Sequence, residues 1–131
     1  MKKTHNLYSI KLKQSNSFTK IGKFSIKVTS FGRLTKNQFE SIKRLTEIFV
    51  KKITNKKKIK LWTFLFFNLT LTKFSSESRM GKGKGSIHST AIFLKPGDII
   101  FEINEVSIQQ AIEIYKFINK KLSFTVKISK I

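Results

Sequence analysis

The sequence predicts an α+β domain in which two amphipathic helices pack on a mostly antiparallel sheet, as an α/β sandwich. Several short stretches alternate apolar and polar residues, which is the strand period, and two longer stretches have the helical period. The 131 residues contain no Pro-rich or Gly/Ser-rich break and no internal repeat. We therefore expect a basic N-terminal arm at residues 1–23 and one domain at residues 24–131.

The first elements of the domain are a strand and a helix. Phe24, Ile26 and Val28 alternate with polar residues, as in a strand with one buried face. Thr35 and Gln38 have the spacing of a capping box, so a helix is predicted to begin after Thr35. Its apolar face is predicted from the helical spacing of Phe39, Ile42, Leu45, Phe49 and Ile53.

The most apolar stretch, KLWTFLFFNLTLT at residues 60–72, comes next. It is shorter than the roughly 20 residues of a spanning helix and is interrupted by Thr63 and Asn68. It predicts a central strand. Its aromatic side chains, including Trp62, are expected in the core, with stacking on nucleic-acid bases as the alternative.

The remaining chain predicts two strands, a helix and a last strand. IHSTAIFL and DIIFEI are joined by KPGD, where Pro96 and Gly97 suit the centre of a type II turn. Ser107 and Gln110 form a second capping box before a second helix, and the chain ends in an alternating strand at residues 122–131. The apolar face of the second helix is formed by Ala111, Ile114, Tyr115 and Ile118.

The charge indicates a polyanionic partner and argues against catalysis. The net charge is +20, of which residues 1–85 carry +18 and the remainder +2. There is no cysteine and there are only two histidines, so no thiolate or histidine-cluster zinc site is expected. The acids form no acid/base pair, and Asp98, Glu102 and Glu105 are expected on a strand or hairpin surface. We expect no enzyme activity and no cofactor.

A glycine loop at residues 74–86 is the strongest local signal, because SRMGKGKGS holds three of the six glycines together with three cations. Glycine lets the backbone approach another molecule closely, and the lysines add charge, which suits a phosphate surface. The spacing fits neither a Walker loop nor G-x-G-x-x-G. A slack, solvated linker is the alternative, but strands on both sides favour a finger held by the sheet.

A second basic surface is predicted on the first helix. The basic face suits RNA. A membrane surface is the alternative, unless the sheet buries the apolar side of the helix. Arginine survives at only three positions among 27 basic residues, which suggests roles that lysine cannot fill. The predicted RNA-binding residues are Arg33, Lys36, Lys43, Arg44, Lys51, Lys52, Lys56, Lys57 and Lys58.

Several motifs occur in a familiar order: GRLTKNQFES at residues 32–41, ESRMGKGKG at 77–85, KPGDIIFEI at 95–103, and KKL before the last strand. Trp62 also lies seventeen residues before Arg79. Together they resemble the bacterial and organellar branch of the universal large-subunit ribosomal protein L-sixteen family.

The resemblance implies a structural protein that binds large-subunit rRNA beside other ribosomal proteins, without a membrane or a homo-oligomer. It also implies that the glycine loop faces the A-site tRNA, near the peptidyl transferase centre, where RNA catalyses bond formation. By this resemblance, Arg79 aligns with an arginine that is hydroxylated in some bacterial members. The loop residues that carry this implied role are Arg79, Met80, Gly81, Lys82, Gly83, Lys84 and Gly85.

Departures from the family pattern indicate the source. Glu105 stands where the family usually has glycine, and the arm differs from the usual Arg-, His- and Gly-rich one. The excess of Phe, Ile, Lys and Asn matches A/T-rich codons, and residues 1–23 do not resemble a targeting peptide. We expect an organelle-encoded protein of the mitochondrial matrix; a plastid-type organelle and an A/T-rich bacterium are alternatives. An organellar nucleoid or mRNA-binding protein is the alternative function.

Overall fold

Seven strands and two helices make up the part of the chain that the computed structural model describes, residues 2–4, 22–55, 60–63 and 65–130. In chain order the elements are β1 Phe24–Val28, β2 Gly32–Thr35, α1 Lys36–Thr54, β3 Leu61–Trp62, β4 Leu69–Lys73, β5 Ser86–Leu94, β6 Ile99–Ile103, α2 Ile108–Lys121 and β7 Val126–Lys130.

The strands form two antiparallel sheets. The first has the order β3-β6-β1-β7 and the second the order β2-β5-β4. Every strand pair is antiparallel, and the helices pack on the sheets, which confirms the predicted α+β class. The sequence predicted one sheet, and two are found because the chain changes sheet four times, after β1, β2, β3 and β5.

Both predicted capping boxes are present. The Thr35 hydroxyl accepts a hydrogen bond from the Gln38 N–H at 3.3 Å, and the Gln38 side chain accepts one from the Thr35 N–H at 3.2 Å. Ser107 and Gln110 repeat this arrangement at 3.3 and 3.0 Å. Each box satisfies two N–H groups that a helix start leaves without partners, which fixes where α1 and α2 begin.

The buried face of α1 differs from the predicted one at Leu45. Phe39, Ile42, Thr46 and Val50 are buried, whereas Leu45 is 43% exposed. Steps of three and four residues keep these four positions on one side of the helix, and Leu45 lies off that line. A threonine can occupy the buried position because its hydroxyl donates to the Ile42 carbonyl oxygen at 2.7 Å.

The prediction of one central strand at residues 60–72 was wrong. Two short strands take its place: among the described residues, β3 pairs with β6 alone and β4 with β5 alone. Between them the chain turns, with the Asn68 N–H donating to the Phe66 carbonyl oxygen at 3.2 Å. The apolar stretch is divided because its two halves find their strand partners in different sheets.

The KPGD segment forms the predicted turn and carries the chain from one sheet to the other. The Asp98 N–H donates to the Lys95 carbonyl oxygen at 3.1 Å, and Gly97 has φ +98°, as the third position of a type II turn requires. The strands on either side, β5 and β6, belong to different sheets. The KPGD turn therefore connects strands of two different sheets, whereas a hairpin would connect two paired strands of one sheet.

The surface location predicted for the acids was wrong for Glu102. This residue lies in β6 with no exposed surface, and its Oε2 accepts a hydrogen bond from the Gly22 N–H at 3.1 Å. A buried carboxylate is stable only with such partners. Glu105 is exposed and forms an ion pair with Lys60 at 3.3 Å, at a left-handed φ of +62°.

Candidate nucleic-acid interface

The glycine loop is anchored at a tight base. β4 ends at Lys73, which is paired with Ser86 at the start of β5. Gly85 is buried between these strand ends, where a Cβ would lie 2.8 Å from the Lys73 carbonyl oxygen. Only glycine allows the two limbs of the loop to come this close. The base of the loop is therefore part of the second sheet.

The outer part of the loop consists of a turn followed by two unpacked glycines. Ser75 and Ser78 form a turn, with an N–H to carbonyl oxygen bond of 3.1 Å and an Oγ–Oγ distance of 2.7 Å. Gly81 and Gly83 then adopt φ values of +92° and +80°, and no atom lies within 4 Å of the position a Cβ would take at either. The tip thus presents bare backbone that touches nothing else in the described part of the protein.

The loop side chains differ in what they contact. Arg79, Met80 and Lys82 are exposed, and within the described residues none of their side chains forms a hydrogen bond or ion pair. Lys84 is exposed as well, but its Nζ donates to the Thr4 carbonyl oxygen at 2.7 Å. With Glu77 as the one acid between residues 74 and 85, the loop carries a net charge of +2.

The sequence analysis missed the contact between the loop and the N-terminus. The Lys3 Nζ donates to the Lys84 carbonyl oxygen at 3.2 Å, and Thr4 forms hydrogen bonds with Thr70 in β4. No sequence signal could have revealed it, because the partners lie 66 to 81 residues apart and share no motif.

Six of the nine predicted RNA-binding residues lie in β2 and α1. Arg33 in β2 is exposed, and so are Lys36, Arg44, Lys51 and Lys52 on α1, whereas Lys43 is half-buried. Lys56, Lys57 and Lys58 lie outside the described residues.

Two acids interrupt the basic face of α1. Glu40 and Glu47 are each four residues from a basic position on both sides along the helix, so each lies between two cations of the same row. The helix has five basic and two acidic residues, a net charge of +3. Ile48, 56% exposed, also lies on this outer side. The face suits a mixed surface of phosphate and other groups better than a continuous row of phosphates.

Arg33 and the glycine loop lie at opposite ends of β5. Arg33 is opposite Phe93 near the end of this strand, and the loop leaves from Ser86 at its start. Seven residues of strand separate these points, a distance of about 23 Å. The two basic regions can therefore contact different parts of one large partner.

Other classes of site receive little support from the described residues. Neither α1 nor α2 is both long and apolar enough to cross a membrane. Within the same residues, His, Asp and Glu side chains form no group of three that could hold a metal ion.

Comparison with known proteins agrees with the resemblance found in the sequence. The profile of the family described as ribosomal protein L16p/L10e matches residues 1–129. Large ribosomal subunit protein uL16m of Chondrus crispus is 49% identical over 127 residues, which cover 96% of this chain and 92% of that protein.

Bacterial relatives match as well. Large ribosomal subunit protein uL16 of Wigglesworthia glossinidia brevipalpis is 37% identical over 84% of this chain and 77% of its own. The uL16 protein of Stenotrophomonas maltophilia is 32% identical over 95% of this chain and 87% of its own. The chain belongs to the ribosomal protein L16p/L10e family and is a structural protein of the large ribosomal subunit, not an enzyme.

Proposed function

We propose that this protein binds rRNA of the mitochondrial large subunit through its basic surfaces and helps to position the A-site tRNA through the glycine loop. One observation carries the tRNA role: the loop is fixed at its base by Gly85 and the β4–β5 pairing, yet bare and cationic at its tip. A slack linker would not combine these two properties.

The dimensions and chemistry of the loop suit a phosphate backbone. Twelve residues that run out and back can extend at most about 20 Å from the sheet. Arg79 can form two parallel hydrogen bonds with one phosphate, and Lys82 supplies a point charge. Because Gly81 and Gly83 have no side chains, the tRNA backbone can lie directly against the loop. The protein contributes position and charge, and no chemical step.

The basic face of α1 supplies the rRNA contacts in this proposal. Its lysines and arginine neutralise phosphates without regard to sequence, and Arg33, Lys56, Lys57 and Lys58 are expected to add further cations. Since Arg33 lies about 23 Å from the loop base along β5, rRNA held there leaves the loop free for tRNA. Neighbouring ribosomal proteins are expected to cover the exposed apolar positions, such as Ile48.

The mitochondrial location is inferred from the relatives and the composition. The relative from Chondrus crispus carries the name of the mitochondrial protein, uL16m. Phe, Ile, Lys and Asn residues, which A/T-rich codons encode, support synthesis from an organelle genome and residence in the mitochondrial matrix.

Sedimentation tests the ribosomal role. An organellar lysate is run through a high-salt gradient, and mass spectrometry locates this chain among the fractions. We expect it with the large subunit. Recovery as free protein, or on DNA or mRNA, would instead favour the organellar nucleoid or mRNA-binding function.

The loop is tested separately in subunits that have incorporated the protein. Arg79→Gln with Lys82→Gln should weaken A-site tRNA binding by about tenfold, which corresponds to about 0.7 kcal/mol for each of two solvent-exposed charged contacts. Incorporation into the subunit should stay unchanged, because the basic face of α1 is intact. Poor incorporation together with normal tRNA binding would contradict this division of roles.

A further inference from the structure

Lys82 and Lys84 have the same neighbours in sequence but different surroundings in the structure. Each stands between two glycines in GKGKG. Lys84 Nζ donates to the Thr4 carbonyl oxygen at 2.7 Å, whereas Lys82 contacts none of the described polar groups. The two lysines therefore cannot be assigned the same role.

We propose that Lys84 is a positioning residue, which fixes the returning limb of the loop to residues 2–4 and leaves Arg79 and Lys82 as the loop's phosphate contacts. This inference rests on the proposed function and deepens it, because it says which loop cations bind tRNA.

The acceptor that Lys84 uses is held in place by a small network. The Thr4 N–H donates to the Thr70 hydroxyl at 3.0 Å, and the Thr70 N–H donates to the Thr4 hydroxyl at 3.0 Å. The Thr70 hydroxyl also donates to the Lys2 carbonyl oxygen at 3.3 Å. Thr70 is 2% exposed, so these bonds are shielded from water. Lys84 thus meets a carbonyl that is already fixed, so binding it costs no further backbone entropy at Thr4.

The contact is reciprocal. While Lys84 reaches the Thr4 carbonyl, Lys3 Nζ donates to the Lys84 carbonyl oxygen at 3.2 Å. Both bonds join the N-terminal segment to the residue directly before the buried Gly85. Lys84 therefore acts at the base of the loop, while Lys82 lies between two glycines at the unpacked tip. The Lys3 ammonium is brought beside the loop base in the same arrangement.

Chemical acylation of lysine amines distinguishes the two roles. The free full-length protein is treated with a limiting amine-reactive ester, and peptide mass spectrometry gives the rate at each lysine. Lys82 is the internal control, because its sequence context is the same. We expect Lys84 to react about fivefold more slowly, the factor that corresponds to a hydrogen bond of about 1 kcal/mol. In large subunits, A-site tRNA should slow acylation of Lys82 and change that of Lys84 little.

A variant in β4 tests the network without altering either lysine. Thr70→Val removes the hydroxyl that holds Thr4 but keeps the branched shape, so Lys84 should become as reactive as Lys82. Thr72→Val, two residues along the same strand, is the matched control and should leave the Lys84 rate unchanged.

The outcomes separate this inference from the proposed function. Equal rates for Lys82 and Lys84 in the free protein would overturn the inference, whatever tRNA does. Slow Lys84 acylation that returns to the Lys82 rate in Thr70→Val would support it. If tRNA then fails to shield Lys82 from acylation, the tRNA role of the loop is wrong, but the role of Lys84 as a positioning residue at the loop base stands.

Discussion

Gly85→Ala should destabilise the protein at the base of the glycine loop. The added Cβ would lie 2.8 Å from the Lys73 carbonyl oxygen and 3.2 Å from the Phe74 nitrogen. Both atoms belong to the backbone, so no side chain can rotate away. The two limbs of the loop would have to separate where Lys73 and Ser86 pair.

The size of the effect follows from the distance. An ordinary contact begins near 3.4 Å, so one limb must move by about 0.6 Å. Overpacking of this kind costs about 1–3 kcal/mol, and a weakened backbone hydrogen bond adds to it. We expect a loss of about 2 kcal/mol in the free energy of unfolding. For a domain of this size that lowers Tm by about 8 °C.

The measurement is urea and thermal unfolding of the full-length protein, with Gly81→Ala as the control. Gly81 has φ +92° but open space around it, so alanine there strains only its own backbone and the exposed tip can relax. The control should lose about 1 kcal/mol or less. A control that is destabilised as much as Gly85→Ala would refute the role of close packing at the loop base.

Three further substitutions test other features. Glu105→Gly should raise stability by about 0.5 kcal/mol, because φ +62° strains a side-chain-bearing residue; a lower urea midpoint would contradict this. Thr35→Ala should cost about 1 kcal/mol through the lost capping box, while Ser41→Ala, whose hydroxyl only bonds back to the α1 backbone, should stay within about 0.5 kcal/mol in the same assay. Arg44→Gln with Lys51→Gln should reduce the salt slope of rRNA binding by about 1.5 and leave Tm unchanged; an unchanged slope would mean that this face does not contact phosphate.

The features that the sequence predicted correctly depend on residues close together in the chain. The capping boxes join positions three residues apart, and β1 was located from its own five residues, although Ser25, predicted on its polar face, is buried. The partner of each strand is a long-range property. Residues 60–72 are apolar enough for a central strand, and nothing local showed that β3 and β4 would join separate sheets.

Burial of single polar residues was the second limit. Glu102 lies in a strand whose composition is compatible with either face being exposed, and its partner Gly22 is 80 residues away. Thr46 replaced Leu45 on the buried side of α1 because its hydroxyl could bond to the preceding turn. Hydrophobicity alone predicts the wrong burial for these residues, because hydrogen bonding decides which polar group can be buried.

The position of β5 connects the two halves of the proposed function. It is the middle strand of its sheet, paired with β2 on one side and β4 on the other, and Ala91 and Leu94 are buried. β2 pairs with residues 91–94 and β4 with residues 86–91, so β5 joins these two neighbours as one continuous strand. α1 follows directly from β2, and the glycine loop begins where β4 ends. If rRNA binds the basic face of α1, β5 therefore connects the loop base to that side of the protein. The base then has a place set by the sheet, while the exposed tip, whose Gly81 and Gly83 are unpacked, can adapt to its partner.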